Sequence, residues 1–290
     1  MGKKMTRWRA LTKVGLVFAL VAGAVISGGI TGEAKRADAV IRVAEFPADC
    51  QLSHRLPDDP IVVPNIPGGS HSHDFFGNRA VNANTTNVNQ LVGQAGNCNP
   101  ASDISSYWVP TLYKNNQPVV PTGITFYYLG EGVNNPGATQ ATPFGLKIVA
   151  GNARATGDGD SIARWSCLHA GHVNPSKNFV NCPSGTQLET YLDFPQCWNG
   201  SSLDSADHKS HMSYPVGGNC PSSHPVQVPK LRMVLRYPVN GDPSSLRLAS
   251  GDGRTMHGDF FNVWPVAEME RRVRDCIRPV IKCGHDGRPL

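Results

Sequence analysis

No familiar catalytic signature runs through this chain. It has no Gly-x-Ser-x-Gly elbow, no Walker loop, no Gly-x-Gly-x-x-Gly fingerprint and no His-Glu-x-x-His. Serine-hydrolase, nucleotide-dependent and thermolysin-like chemistries lose their support with those motifs. Cysteine is present but never spaced as Cys-x-x-Cys, the pattern of zinc ribbons. Long helical periodicity is scarce as well. With 30 Gly and 23 Pro, the chain repeatedly meets residues that weaken helices. Low-complexity linkers and internal repeats are missing, which points to one domain.

Net charge is a further absence, hidden at first by the formal +5. Residues 1–39 hold seven Lys/Arg and two Asp/Glu, leaving 27 − 7 = 20 basic and 22 − 2 = 20 acidic residues. The remainder is neutral and lacks the basic footprint of a nucleic-acid binder, so no nucleic-acid partner is expected. Arg271, Arg272 and Arg274 are offset by Glu268, Glu270 and Asp275, a pattern that reads as a solvated helical face.

What is present begins with an export segment. Lys3, Lys4, Arg7, Arg9 and Lys13 precede the apolar run from Val14 to Ile30, and Ala37-Asp38-Ala39 offers a small-x-small cleavage site. Cleavage near Ser27 to Gly29 is the alternative. A retained anchor is the rival, weakened by the glycines and serine within the run. The expectation is a signal peptide over 1–39 and a single secreted domain over 40–290. That domain would be extracellular, monomeric and without a stable membrane span after cleavage. All eight cysteines lie in it, and an even count in an exported chain predicts up to four disulfides. Of the 105 connectivities that eight cysteines allow, Cys50 with Cys98 and Cys276 with Cys283 are the pairings singled out.

Strand patterns recur between Gly/Pro/Asn-rich turns. Gly123–Leu129, Thr190–Phe194 and Leu231–Tyr237 are β-branched or aromatic, and Leu246–Leu248 reads as a neighbour of the last across the Asn240-Gly241-Asp242-Pro243 turn. Pro265–Ile277 is the one plausible helix. The predicted fold is mainly β: an antiparallel sandwich or jelly-roll-like domain with long disulfide-braced loops and one short C-terminal helix.

Five of the ten histidines fall in three short clusters, each with an aspartate. They are His71-Ser72-His73-Asp74, Asp207-His208-Lys209-Ser210-His211 and His257-Gly258-Asp259. On an extended segment His71 and His73 share a face with Asp74 opposite. Imidazole and carboxylate make metal ligands or acid/base pairs, so His71, His73, Asp74 and His257 are candidate ligands for a divalent metal ion. Asp207, His208, His211 and Asp259 are the acid/base candidates. Tyr107 and Trp198 can stack on sugar rings, with Asn199 and Lys209 as polar contacts. The plain alternative for each cluster is a hydrogen-bonded network that braces loops. His54, His224 and the His169/His172 pair read as loop or surface residues.

The order of these motifs resembles a family of secreted fungal and bacterial proteins known as a domain of unknown function, often joined in fungi to carbohydrate-binding WSC modules. The resemblance rests on Ser70-His71-Ser72-His73-Asp74-Phe75-Phe76-Gly77, Tyr107-Trp108-Val109-Pro110, Phe194-Pro195-Gln196-Cys197-Trp198-Asn199-Gly200, Asp207 to Pro215 and His257-Gly258-Asp259-Phe260. It spans about Cys50 to Cys276. Ser72 stands where the family often has Met, and Val263 where it often has Gly. The resemblance implies secretion and one shared fold; no WSC-like cysteine module is attached here, which weakens any carry-over of wall binding. The expectation is a hydrolase or lyase acting on extracellular or cell-wall polysaccharide, with metal assistance as one route. A non-catalytic wall-binding protein and an extracellular metal-binding protein are the alternatives.

Overall fold

The computed structural model describes residues 43–168 and 175–290. The expected export segment and the His169/His172 pair lie outside the described residues. Two antiparallel sheets carry the fold. The first runs in the order Arg164–Leu168, Gln187–Asp193, Lys230–Tyr237, Gly123–Leu129, Glu45–Cys50, Cys98–Asn99. The second runs in the order Leu52–Leu56, His73–Gly77, Ser106–Pro110, His257–Phe261, Lys147–Gly151. Small sheets of two- and three-residue strands tie down the loops.

Strand alternation sorts the side chains into layers. Phe46, Phe126, Tyr128, Leu192 and Met233 of the first sheet meet Phe76, Tyr107, Ile148 and Phe260 of the second in one apolar core. Tyr107 stacks on Phe126 with ring centroids 3.7 Å apart, joining the two layers. This is the expected sandwich. Gly258 has no room for a side chain in it: a Cβ there would lie 2.8 Å from Leu192 and 3.1 Å from the Met233 sulfur.

The outer face of the second sheet is covered too. Phe75, Trp108, Val149 and Phe261 on that face pack under Ile61, Val81 and Leu91 from the long segment before Cys98. Apolar packing stops at one end of this face, where His73, His257 and Asp259 take the same alternating positions.

All eight cysteines pair, as Cys50–Cys98, Cys167–Cys182, Cys197–Cys220 and Cys276–Cys283, which includes both pairings singled out above. Gly123–Leu129 is a strand over the expected residues. Leu246–Leu248 is a strand as well, but it pairs with Leu112–Lys114 and not with Lys230–Tyr237. The turn therefore leads the chain to another sheet. Pro265 precedes a helix over Val266–Arg272 that widens through Val273–Ile277. Its arginines are not all solvated. Arg272 is buried, donates to Glu268 at 2.7 Å and lies over the rings of Trp264 and Phe46. That inward turn corrects the reading of a wholly solvated charged face.

Candidate metal centre

His73 opens one strand and His257 another, and Pro110 lies opposite His73 on the strand between them. His73 Nδ1 lies 2.8 Å from the Asp58 carbonyl, and His257 Nδ1 lies 2.8 Å from the Thr255 carbonyl. A carbonyl only accepts, so both Nδ1 atoms carry the proton and both Nε2 atoms present lone pairs. Those lone pairs face each other at 3.3 Å, and His71 Nε2 stands 3.1 Å from His257 Nε2. The donor atoms of all three histidines lie within 4.8 Å of one another.

Burial keeps these rings neutral. It holds His73 far below the usual imidazole range, helped by the nearby His257 and His71, and pulls His257 down to about 3. Burial also lowers His71. The His73 and His257 rings, aiming lone pairs at each other, repel, and a cation between them turns that repulsion into ligation. A tetrahedral ion bound at 2.0–2.1 Å would set its nitrogen ligands about 3.3 Å apart, and two of the three nitrogen pairs stand at 3.1 and 3.3 Å.

Two carboxylates adjoin the triad through His73. Asp59, His73 and Asp259 offer donor atoms within 4.8 Å of one another. Asp259 is fully buried, and neither of its carboxylate oxygens has a hydrogen-bond partner. Burial, reinforced by the charge of Asp59, pushes its pKa well above the carboxylate range. An orphaned buried carboxyl costs stability unless a cation satisfies it. Asp59 is raised by burial and accepts the Ile61 and Val62 N–H groups at 3.1 and 3.0 Å through Oδ1. His73 and Asp259 form the sealed back of the centre. Asp59, His71 and His257 line an open cleft of about 610 Å³, together with Asn152, Arg154, Lys209 and Ser250.

A family model described as Domain of unknown function (DUF1996) matches residues 59–264. The chain belongs to that family. No curated protein and no solved structure matches it. The DUF1996 span contains all five donors, from Asp59 to Asp259.

Of the candidate ligands, His71, His73 and His257 come together and Asp74 does not. Asp74 points to the opposite face, where Arg55 holds both its oxygens at 2.5 and 3.0 Å and Thr111 donates at 2.8 Å. Of the acid/base candidates, Asp259 joins the metal donors, behind the cleft and out of reach of a substrate. Asp207 is an exposed turn cap whose Oδ1 accepts from Ser205, Lys209 and Ser210. Those donors hold it strongly acidic, with the Ser210 N–H foremost. His211 is buried with both ring nitrogens engaged, to Ser205 Oγ at 2.9 Å and the Lys147 carbonyl at 2.6 Å. It braces the loop. His208 is the exception in this cluster: Nδ1 pairs with Asp204 Oδ1 at 2.9 Å, and Nε2 is unengaged among the described residues.

The sugar-stacking candidates require correction. Tyr107 is fully buried, its hydroxyl tied to Asp103 and Tyr128 at 2.6 Å each, and it has no face to offer. Trp198 is half-buried against the core and donates to the Ser202 carbonyl at 2.7 Å. Asn199 spends its oxygen on the Ser201 and Ser202 N–H groups. Only Lys209 among the substrate-contact candidates lines the cleft. Sequence reasoning missed Asp59 and Arg154. The signal for Asp59 was Pro57-Asp58-Asp59-Pro60, paired acids locked between prolines. Asp58 itself holds the loop, accepting from Gly68 and Ala83 N–H groups at 2.9 and 3.0 Å.

Proposed function

We propose that this chain is an exported metalloprotein that cleaves an extracellular or cell-wall polysaccharide at a divalent-metal centre. The observation that carries the proposal is a triad of neutral imidazoles, His71, His73 and His257, beside an open cleft, with a second buried triad of Asp59, His73 and the wholly unpartnered Asp259 sharing His73. Imidazole mixed with carboxylate suits zinc, copper, iron or nickel over calcium or magnesium. Such an ion, when bound, polarises a substrate oxygen or lowers the pKa of a bound water.

The chain's own residues do the rest. The Asp58 and Thr255 carbonyls fix the tautomer and direction of His73 and His257. The sheet supplies rigidity, since two of the histidines open strands and Asp259 lies within one. The cleft side stays open past His71 and His257, which leaves space for a substrate. Asp204 orients His208 beside this site, the Asp–His arrangement of a proton carrier. Export is supported by the basic and apolar N-terminal segment and by four disulfides. Hydrolysis and elimination both fit this site.

Elemental analysis of the secreted protein beside His71→Ala tests the proposal. A stoichiometric transition metal, lost in the variant with folding intact, is the expected result. A chelator should then abolish release of sugar fragments from wall polysaccharide. Folded wild-type protein that takes up no zinc, copper, iron or nickel on titration would overturn the metal centre. Metal without any chelator-sensitive cleavage across a polysaccharide panel would leave a metal-binding protein without turnover.

A further inference from the structure

We infer that the cleft above the centre takes an acidic glycan, one bearing carboxylate or sulfate groups, and that Lys209 and Arg154 receive that charge. The inference rests on the metal-centre reading for its location and on the charge of the rim for its content. Arg154 and Lys209 are the cationic side chains lining the cleft, against Asp59 as its one lining acid. Asp59 faces the donor set and is already held by two backbone N–H groups. The rim is therefore cationic on a chain that is neutral beyond residue 39.

Neither rim cation has a carboxylate partner among the described residues. Both therefore keep their charge free for a ligand, unlike Lys147, Lys230, Arg232, Arg236 and Arg254, which are paired with acids. Lys209 is nonetheless held in place. Its ammonium donates to the Gly151 carbonyl at 2.9 Å, and Gly151 lies opposite His257 in the sheet. One of its three donors is used, and two remain for a ligand. Gly151 has φ +84°, and a Cβ there would come 2.5 Å from the Met256 carbonyl oxygen, so only glycine presents the backbone this way.

The second histidine cluster gains a purpose on this view. Asp207 caps the turn by accepting the Lys209 and Ser210 N–H groups at 3.2 and 2.9 Å, while His208 adopts the left-handed φ of 59°. That turn delivers Lys209 to the cleft. Aromatic side chains, which grip neutral sugars by stacking, are missing from the cleft lining among the described residues.

Calorimetric titration of the metal-loaded protein with a uronate oligosaccharide, a sulfated oligosaccharide and a neutral one of equal length tests this. The acidic ligands should bind at least about tenfold more tightly than the neutral one, with a preference that weakens as salt rises. Preference for uronate alone, or for sulfate alone, supports the inference and names the group. The Lys209→Gln/Arg154→Gln double variant should keep its metal and lose the preference. Equal binding of acidic and neutral ligands, or a preference that survives in the double variant, would overturn it. A wild-type protein without metal would sink the metal-centre reading instead, and the same titrations would still decide the rim.

Discussion

Replacing Asp259 with Asn should stabilise the metal-free protein and weaken its response to metal. Asp259 is fully buried and its two oxygens lack partners among the described residues. A buried polar group left unsatisfied costs about 1–3 kcal/mol, and more when charged. Asn keeps the shape, cannot ionise and brings an N–H₂ donor to a site where burial already disfavours the charged carboxylate. In chelator at neutral pH the variant should therefore gain about 2 kcal/mol, or about 4–8 °C in Tm for a domain of this size. Saturating metal should reverse the order. Loss of a ligand that lowers affinity about 100-fold removes about 2.7 kcal/mol of metal-linked stabilisation. Thermal unfolding of both proteins, in chelator and in excess zinc or copper, gives the four values needed. A variant that is less stable than wild type in chelator would mean that the carboxyl is held by something other than a metal. Equal upward shifts on adding metal would mean that Asp259 is no ligand.

Much of the architecture was readable because it depends on local patterning. Gly123–Leu129 announces itself by β-branched and aromatic residues, and Pro265 marks the helix start. The histidine clusters were legible as candidate chemistry because imidazole and carboxylate together make metal ligands or acid/base pairs. Their assembly was not, since it depends on strand order. His73 and His257 are 184 residues apart and meet only because Ser106–Pro110 runs between their strands. Alternation correctly sent Asp74 away from His71 and His73, which argued against its own place among the ligands. The loop cluster misled for the opposite reason. Asp207, His208 and His211 look equally reactive in sequence, yet turn geometry spends two of them on capping and bracing. Tyr107 and Trp198 carried no sign of which face they turn; packing buried Tyr107 fully and left Trp198 half-buried against the core. Arg154, an isolated cation in a Gly/Asn/Ala loop, had no pattern to single it out.

Three further substitutions separate structural from metal roles. Asp74→Asn breaks the buried pair with Arg55 and should cost about 3 kcal/mol in urea unfolding while metal content stays at the wild-type value. Reduced metal content in a folded Asp74→Asn protein would return that carboxylate to the centre. His211→Ala leaves the Lys147 carbonyl without its partner and should cost about 2 kcal/mol, again with metal retained. Asp103→Asn addresses pH. Burial raises Asp103 to about 6 although Tyr107 and Ser105 donate to it. The folded chain thus binds this proton more tightly than the unfolded chain, whose carboxyl titrates near 3.8. The stability that follows is fully present below about pH 3.8 and is lost as pH rises through about 6. Two pKa units set its ceiling at about 3 kcal/mol. Asn carries no such proton, so the stability difference between pH 4.5 and pH 7, measured in urea, should shift towards the higher pH by about 2 kcal/mol in the variant. A difference identical to wild type would show that the Tyr107 and Ser105 hydrogen bonds already hold Asp103 ionised, and that its burial costs far less than its surroundings imply.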